Sequence, residues 1–251
     1  MSTETLAVLQ ARMSSSRLPG KVMMEVNGHP MIYWQIQRIL QAKCVNQLVV
    51  VTSTDSTDDV LTDFLEENLV KVFRGSLDDV LSRYMAVASR YKHQALIRLT
   101  GDCPLVMPKL IDRMVHSFYQ QEVDYLSNTL VPTYPDGLDI EIIREGVLKK
   151  LTSFPLEPRE LEHVTYGIYN RSEIFTLSNF QNESDESLSR WTVDYLEDLE
   201  FVRAIYQEFS GRETQFTYED VCVLLERNPE LTFRNQGYKR NERLQATESD
   251  G

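Results

Sequence analysis

Arg12, Arg17 and Lys21 stand within one short stretch, Leu9-Gln-Ala-Arg-Met-Ser-Ser-Ser-Arg-Leu-Pro-Gly-Lys21, and no acidic residue falls between Glu4 and Glu25. The loop is therefore cationic in a chain whose formal net charge is −12. Its serines and Pro-Gly turn let the backbone curve and offer N–H and O–H donors. Arginine adds a planar fork that holds phosphate oxygens two at a time. Capture of a triphosphate is the chemistry this suits; a solvated basic loop is the plain alternative. Two other stretches end in carboxylates: Arg98-Leu-Thr-Gly-Asp102-Cys-Pro-Leu and Arg190-Trp-Thr-Val-Asp194-Tyr-Leu-Glu197. Each reads as a strand running into an aspartate. Mg²⁺ needs only one or two such carboxylates, because it keeps waters and substrate phosphates as its other oxygen ligands. The competing uses are structural. Asp102 could serve a turn before the helix at Pro108, and Asp194 with Glu197 has the spacing of a capping box. Two strand-end aspartates beside a cationic loop compose a magnesium–triphosphate site more readily than three unrelated coincidences.

Elements that could position these groups follow from the apolar pattern. Leu6–Leu9 and Leu48–Val51 read as short buried strands. Between them Ile32, Ile36, Ile39 and Leu40 recur at helical spacing, with Pro30 suited to the first helical position. A helix over 60–69, a strand over 70–73, a helix from Val80 to Tyr91, a strand over 95–99 and a helix opened by Pro108 continue the alternation. That rhythm predicts a mostly parallel sheet with helices on both faces, which binds ligands at the carboxyl ends of its strands. Past residue 123 the pattern changes. Strands at 124–127 and 138–143 flank a turn-rich segment, and helical stretches follow near 144–153 and 158–170. Residues 124–189 read as a smaller lobe inserted into a single domain of residues 1–240. The core resumes with a strand at 190–194, a helix bearing Leu199, Val202, Tyr206 and Phe209, and a last helix near 217–227. Residues 241–251 are polar and read as a flexible tail.

Composition sets limits. Of the 251 residues, 42 % are hydrophobic and 25 % charged, enough to bury a core without disulfides. Cys44, Cys103 and Cys222 are scattered, which suits reduced thiols and a cytoplasmic protein. No apolar run reaches membrane-spanning length, and the acidic balance argues against nucleic-acid binding. His29, His93, His116 and His163 show no metal-ligand spacing. Neither a Walker A loop nor a G-x-G-x-x-G fingerprint occurs. The middle lobe offers polar groups for a hydroxyl-rich acceptor: Asp136, Asp139, Glu141, His163 and Arg190. Each has an ordinary use as well, Asp136-Gly137 as a turn, Asp139 and Glu141 as the wet side of a strand, and His163 within a helix.

Taken together, Ala11 to Lys21, Leu-Thr-Gly-Asp-Cys-Pro-Leu (99–105) and Trp-Thr-Val-Asp-x-x-Glu-Asp-Leu-Glu (191–200) resemble the cytidylyltransferases. That family includes the CMP-sialic-acid and CMP-KDO synthetases, and the likeness is greatest to the spore-coat polysaccharide type. Val72–Ser76, Tyr134–Glu141 and Glu162–Thr165 extend the similarity, which runs in order from about residue 5 to 238. The resemblance implies a Rossmann-like nucleotidyltransferase fold, a homodimer, and transfer of CMP from CTP to a sugar or sugar acid in polysaccharide biosynthesis. It places Leu9, Ala11, Arg12, Ser16, Arg17, Lys21, Arg74, Ser76 and Asp102 around the nucleotide. Arg12, Arg17, Lys21 and Asp102 would be catalytic, with Mg²⁺ on Asp102 and Asp194. A nucleotide-sugar glycosyltransferase is the enzymatic alternative, although Gly101-Asp102-Cys-Pro lacks the Asp-x-Asp it would use. A catalytically silent binding subunit is the other.

Overall fold

The unbroken apolar run Leu-Ala-Val-Leu becomes β1 (Thr5–Gln10), buried on both faces as the central strand of a parallel sheet must be. The computed structural model describes residues 4–240 apart from 236 and 239; the expected flexible tail, 241–251, lies outside the described residues. After the cationic loop come β2 (Glu25–Val26) and β3 (His29–Pro30), a hairpin closed by Asn27-Gly28. Both turn residues have positive φ, 45° and 82°, the geometry of the tight turn that Asn-Gly favours. The order continues through α1 (Met31–Ile39), β4 (Gln47–Ser53), α2 (Asp59–Glu67), β5 (Lys71–Gly75), α3 (Val80–Arg90), β6 (Ala95–Thr100), α4 (Pro108–Gln121) and β7 (Tyr125–Ser127). It ends with β8 (Glu141–Arg144), α5 (Val147–Leu151), α6 (Pro158–Glu162), α7 (Tyr166–Tyr169), β9 (Leu177–Asn179), α8 (Leu196–Glu208) and α9 (Tyr218–Arg227).

Seven strands form one sheet in the order β5-β4-β1-β6-β8-β7-β9. All neighbours are parallel except β8, which runs antiparallel to both β6 and β7. Side chains alternate across the sheet, so each strand feeds two cores. Ala7, Leu9, Val50, Ile97 and Leu99 join residues of α1, α2, α4, α8 and α9 on one face. Leu6, Val8, Val49, Val51 and Leu96 join α3, α5, Val164 and Ile168 on the other. The strands of segment 124–189 extend this same sheet, and its helices share the face of α3.

Several local expectations differ from the structure. Pro30 caps α1 and does not occupy its first turn. Residues 138–140 are not strand, because Asn128 intervenes: it accepts from the Ile140 amide at 2.9 Å and donates to the Leu138 carbonyl at 2.7 Å. The helix expected over 158–170 is two short helices broken at Val164, whose φ is 39°. Residues 190–194 are extended but make only a single bridge, Arg190 to Asp136, and no ladder. Gly137 explains the closeness of that crossing. A Cβ there would stand 2.3 Å from the Thr192 amide nitrogen, and its φ is 107°.

Candidate active site

The carboxyl ends of β1 and β6 open into a cavity of about 480 Å³. β1 delivers Gln10, Ala11 and the cationic loop; β6 delivers Thr100, Gly101 and Asp102. The loop is pinned from beneath by Asp58, a fully buried carboxylate that accepts from the Met13 amide at 2.6 Å, the Thr52 hydroxyl at 2.8 Å and the Ser53 amide at 3.0 Å. A bond from the Gly20 amide to the Met13 carbonyl, 2.8 Å, closes the loop and turns Lys21 inward.

Lys21 is the centre of the charge arrangement. Its ammonium donates to the Val193 carbonyl at 2.7 Å, to Asp194 Oδ1 at 3.0 Å and to Asp102 Oδ2 at 3.4 Å. Burial works against its charge, but Asp102 and Asp194 outweigh burial and hold its pKa above the ordinary lysine range. Burial likewise opposes ionisation of Asp102, yet the Lys21 ammonium and hydrogen bonds from its neighbours hold that carboxyl down at about 2. Asp194 is ringed by three cations: Arg17 at 2.6 Å, Lys21 at 3.0 Å and Arg190 at 3.2 Å.

The capping role expected of Asp194 and Glu197 belongs to Asp198. Its carboxylate is fully buried and accepts from the Asp194 amide at 2.9 Å and the Tyr195 amide at 3.0 Å. It also takes two bonds from Arg190, each 2.9 Å. The amides that lead into α8 are thus satisfied by Asp198, and the Asp194 side chain lines the cavity. Sequence spacing could not separate Asp194 from Asp198, since both precede the same apolar helix face.

At the other end of the cavity Glu141 accepts from Tyr125 and Thr165 hydroxyls, both at 2.5 Å, and pairs with Arg98. Asp136 pairs with Arg190 at 3.0 Å, and Asp139 with Arg240. Burial, then repulsion from Asp139, pushes the Asp136 carboxyl up to about 7. Burial also raises that of Asp139.

Of the residues singled out in the sequence, the cavity gathers Ala11, Arg12, Ser16, Arg17, Lys21, Asp102, Asp136, Asp139, Glu141, His163 and Asp194. Four lie elsewhere. Leu9 is fully buried in the core and does not line the cavity. Arg74 is held by the Ser53 and Asp55 carbonyls, each at 2.9 Å, and by Asp59 at 2.7 Å. Ser76 accepts from the Asp79 amide at 3.1 Å in the turn before α3. Arg190 is buried behind the wall, where it orients Asp136, Asp194 and Asp198 together. His163 lines the cavity from the turn after α6, not from within a helix. Gln10, Arg98, Thr129, Thr165, Tyr169 and Thr192 also line it, unsuspected as site residues. Only Arg98 left a signal, as a lone charge inside an apolar strand.

Among the described residues no three or more His, Cys, Asp or Glu side chains converge as a metal cage. The donors do suit Mg²⁺ held in part by substrate. Asp102 and Asp194 are hard oxygen ligands that already converge on one cationic point, Lys21 Nζ, and phosphate oxygens and water would complete an octahedron.

A family model described as cytidylyltransferase matches residues 6–219. The chain is 33 % identical over 236 residues to the spore coat polysaccharide biosynthesis protein SpsF of Bacillus subtilis, covering 90 % of this chain and 96 % of that one. A 3-deoxy-manno-octulosonate cytidylyltransferase of Syntrophotalea carbinolica is 25 % identical over 229 residues, 82 % of this chain and 88 % of its own. Among solved structures, a cytidylyltransferase from Leptospira borgpetersenii superposes with a TM-score of 0.86 at 33 % identity, over 96 % of this chain and all of that one (100 %).

Proposed function

Since the chain belongs to the cytidylyltransferase family, we propose that it transfers CMP from CTP to a sugar or sugar acid for polysaccharide biosynthesis, releasing pyrophosphate, with Mg²⁺ held by Asp102 and Asp194. The acceptor's hydroxyl oxygen attacks the α-phosphorus; that P–O bond forms as the bond from the α-phosphorus to the bridging oxygen breaks, pyrophosphate leaves with that oxygen, and the hydroxyl proton passes to solvent water. Such chemistry rests on positioning and on neutralising charge, not on a protein nucleophile. The loop of β1 would supply both: Arg12 and Arg17 would grip phosphate oxygens, and Lys21 would offset the charge that builds on the leaving pyrophosphate. Asp136, Asp139, Glu141 and His163 offer the acceptor fixed hydrogen-bond partners. When bound, Mg²⁺ adds Lewis-acid charge at the phosphate oxygens.

The observation that carries this reading is the Lys21 ammonium set between the carboxylates of Asp194 and Asp102, at 3.0 and 3.4 Å, beneath a loop of arginines. A homodimer and a cytoplasmic setting belong to the same proposal. Residues 124–189 are proposed to carry the acceptor and the dimer contact. No helix of the described residues is long and apolar enough to cross a membrane.

Thermal melting tests the nucleotide. A ligand that binds only the native state stabilises it in proportion to occupancy, so CTP with Mg²⁺ is expected to raise the melting temperature more than ATP, GTP or UTP. Equal shifts for all four would remove the cytidylyl assignment.

A further inference from the structure

A second cavity, of about 280 Å³, lies between the loop after α1, the start of α4 and the start of α9. No residue lines both it and the active-site cavity. Met107, Leu110 and Phe216 give it an apolar floor, and Arg38 holds two of them from behind. That buried guanidinium donates to the Phe216 carbonyl at 3.0 Å and to Met107 Sδ at 3.1 Å, and lies 3.8 Å from the centre of the Phe216 ring. The floor is thus fixed before anything binds.

Tyr134 forms part of the wall and is only 2 % exposed. Among the lining residues, its hydroxyl is the one buried side-chain polar atom with no hydrogen-bond partner. A buried hydroxyl left without a partner is costly, so a ligand that bonds to it relieves that cost. The Arg113 guanidinium, also at the cavity, lies within electrostatic reach of this hydroxyl. Lys43 and Lys109 add two further cations. The opposing carboxylates are Asp112 and Glu219, and Asp112 is engaged by the Lys43 and Cys44 amides at 3.1 and 2.9 Å. Here α4 begins with no side-chain cap and no acidic residue in its first turn, so nothing on the helix itself offsets the positive end of its dipole.

We propose that this cavity binds a small aromatic carboxylate, its ring on Met107, Leu110 and Phe216 and its carboxylate between the Tyr134 hydroxyl and Arg113. Three cations against two carboxylates leave one positive charge, which suits a monoanion better than a phosphate dianion or a cation. The apolar floor favours a ring over a small hydrophilic anion, and the volume accommodates two fused rings.

The test is calorimetric titration of 2-naphthoate, 2-naphthalenemethanol and acetate into wild type, Tyr134→Phe and Arg113→Gln, with and without CTP and Mg²⁺. Each protein is also melted without ligand. In wild type, 2-naphthoate is expected to saturate one site per chain. The neutral alcohol, with the same rings, should bind about tenfold more weakly, the worth of a charge-assisted contact, and acetate should not saturate. Arg113→Gln should weaken 2-naphthoate about tenfold and leave the alcohol nearly unchanged. Tyr134→Phe should weaken it several-fold. Both variants should melt close to wild type, since Arg113 is exposed and the Tyr134 hydroxyl makes no bond. No saturation by 2-naphthoate, equal affinity for acid and alcohol, or unchanged affinity in both variants would overturn the assignment. Displacement of 2-naphthoate by CTP would place the probe in the active-site cavity and overturn it as well. Failure of CTP to bind would contradict the cytidylyl reading alone, because the two cavities share no residue.

Discussion

Lys21 shows how far a single side chain departs from what its position in a loop suggests. Three surface cations of a serine-bearing loop would add little to stability, but Lys21 is buried, with only 10 % of its side chain exposed, and holds two carboxylates. Lys21→Met should therefore lower both CTP affinity and fold stability. The stability loss, read by urea unfolding at pH 7, is expected near ~2 kcal/mol, below the usual figure for a broken buried pair because Asp102 is partly exposed. Its pH dependence has a definite sign. Asp102 has a depressed pKa of about 2, so the stability it lends is present above the ordinary aspartate value and is lost as pH falls toward 2. Wild type and Lys21→Met should thus converge in acid. Asp136 has the opposite sign. Its carboxyl, raised to about 7 by burial and Asp139, favours the folded state when protonated. Stability from this group is full below the ordinary aspartate pKa and declines as pH rises to 7. Asp136→Asn should flatten the difference between unfolding at pH 5 and at pH 7.5; an unchanged difference would show that Asp136 ionises normally. The charges of the β1 loop, Asp102 and Asp194 were legible in the sequence because residue type and strand-end position suffice to suggest them. Arg190 was legible as a polar residue but not as the clamp behind Asp194, since its partners come from residues 136, 194 and 198 at once.

Among the elements, α8 matters most because its first turn decides where Asp194 points. Asp198 takes the Asp194 and Tyr195 amides just ahead of the helix, and Asn235 donates to it at 3.0 Å. Asp198→Ala would strip the cap and leave Arg190 with a missing counter-charge, a loss expected near ~3 kcal/mol. Glu197→Gln, at the position that spacing alone suggested for the cap, should stay within ~0.5 kcal/mol of wild type. Denaturant unfolding of the two variants separates these roles; equal effects would contradict the cap assignment. The parallel half of the sheet was readable because β1, β4, β5 and β6 are short apolar runs set between amphipathic helices. The antiparallel half was harder. β8 is four residues and β9 three, with β9 only half-buried, too short to show a period. Nor does any local pattern disclose that β6 and β8 pair in the register that sets Arg98 against Glu141. The break at Val164, which delivers His163 and Thr165 to the cavity, carries no glycine or proline to announce it.

At the scale of the whole molecule, a chain of net charge −12 binds a polyanion only if its cations are concentrated, and the carboxyl end of the sheet is where they are. Those cations are faced by the carboxylates of Asp102, Asp194 and Asp136, so the cavity brings both signs of charge together, as the proposed pairing of Mg²⁺ with a triphosphate requires. Sedimentation at twice the chain mass would support the proposed homodimer, and a monomer at all concentrations would exclude it. The central claim is that Asp194 is a metal ligand and not a helix cap, and calorimetric titration of CTP into wild type and Asp194→Asn, with and without Mg²⁺, tests it without any acceptor. Asn keeps the shape, and Asp198 keeps the cap, so the variant should remain folded. In wild type Mg²⁺ should tighten CTP binding about tenfold or more. In Asp194→Asn that gain should vanish, while CTP alone binds at least as tightly as to wild type, because Arg17 and Lys21 have lost the carboxylate that competes with phosphate. An undiminished gain from Mg²⁺ in Asp194→Asn would contradict the account.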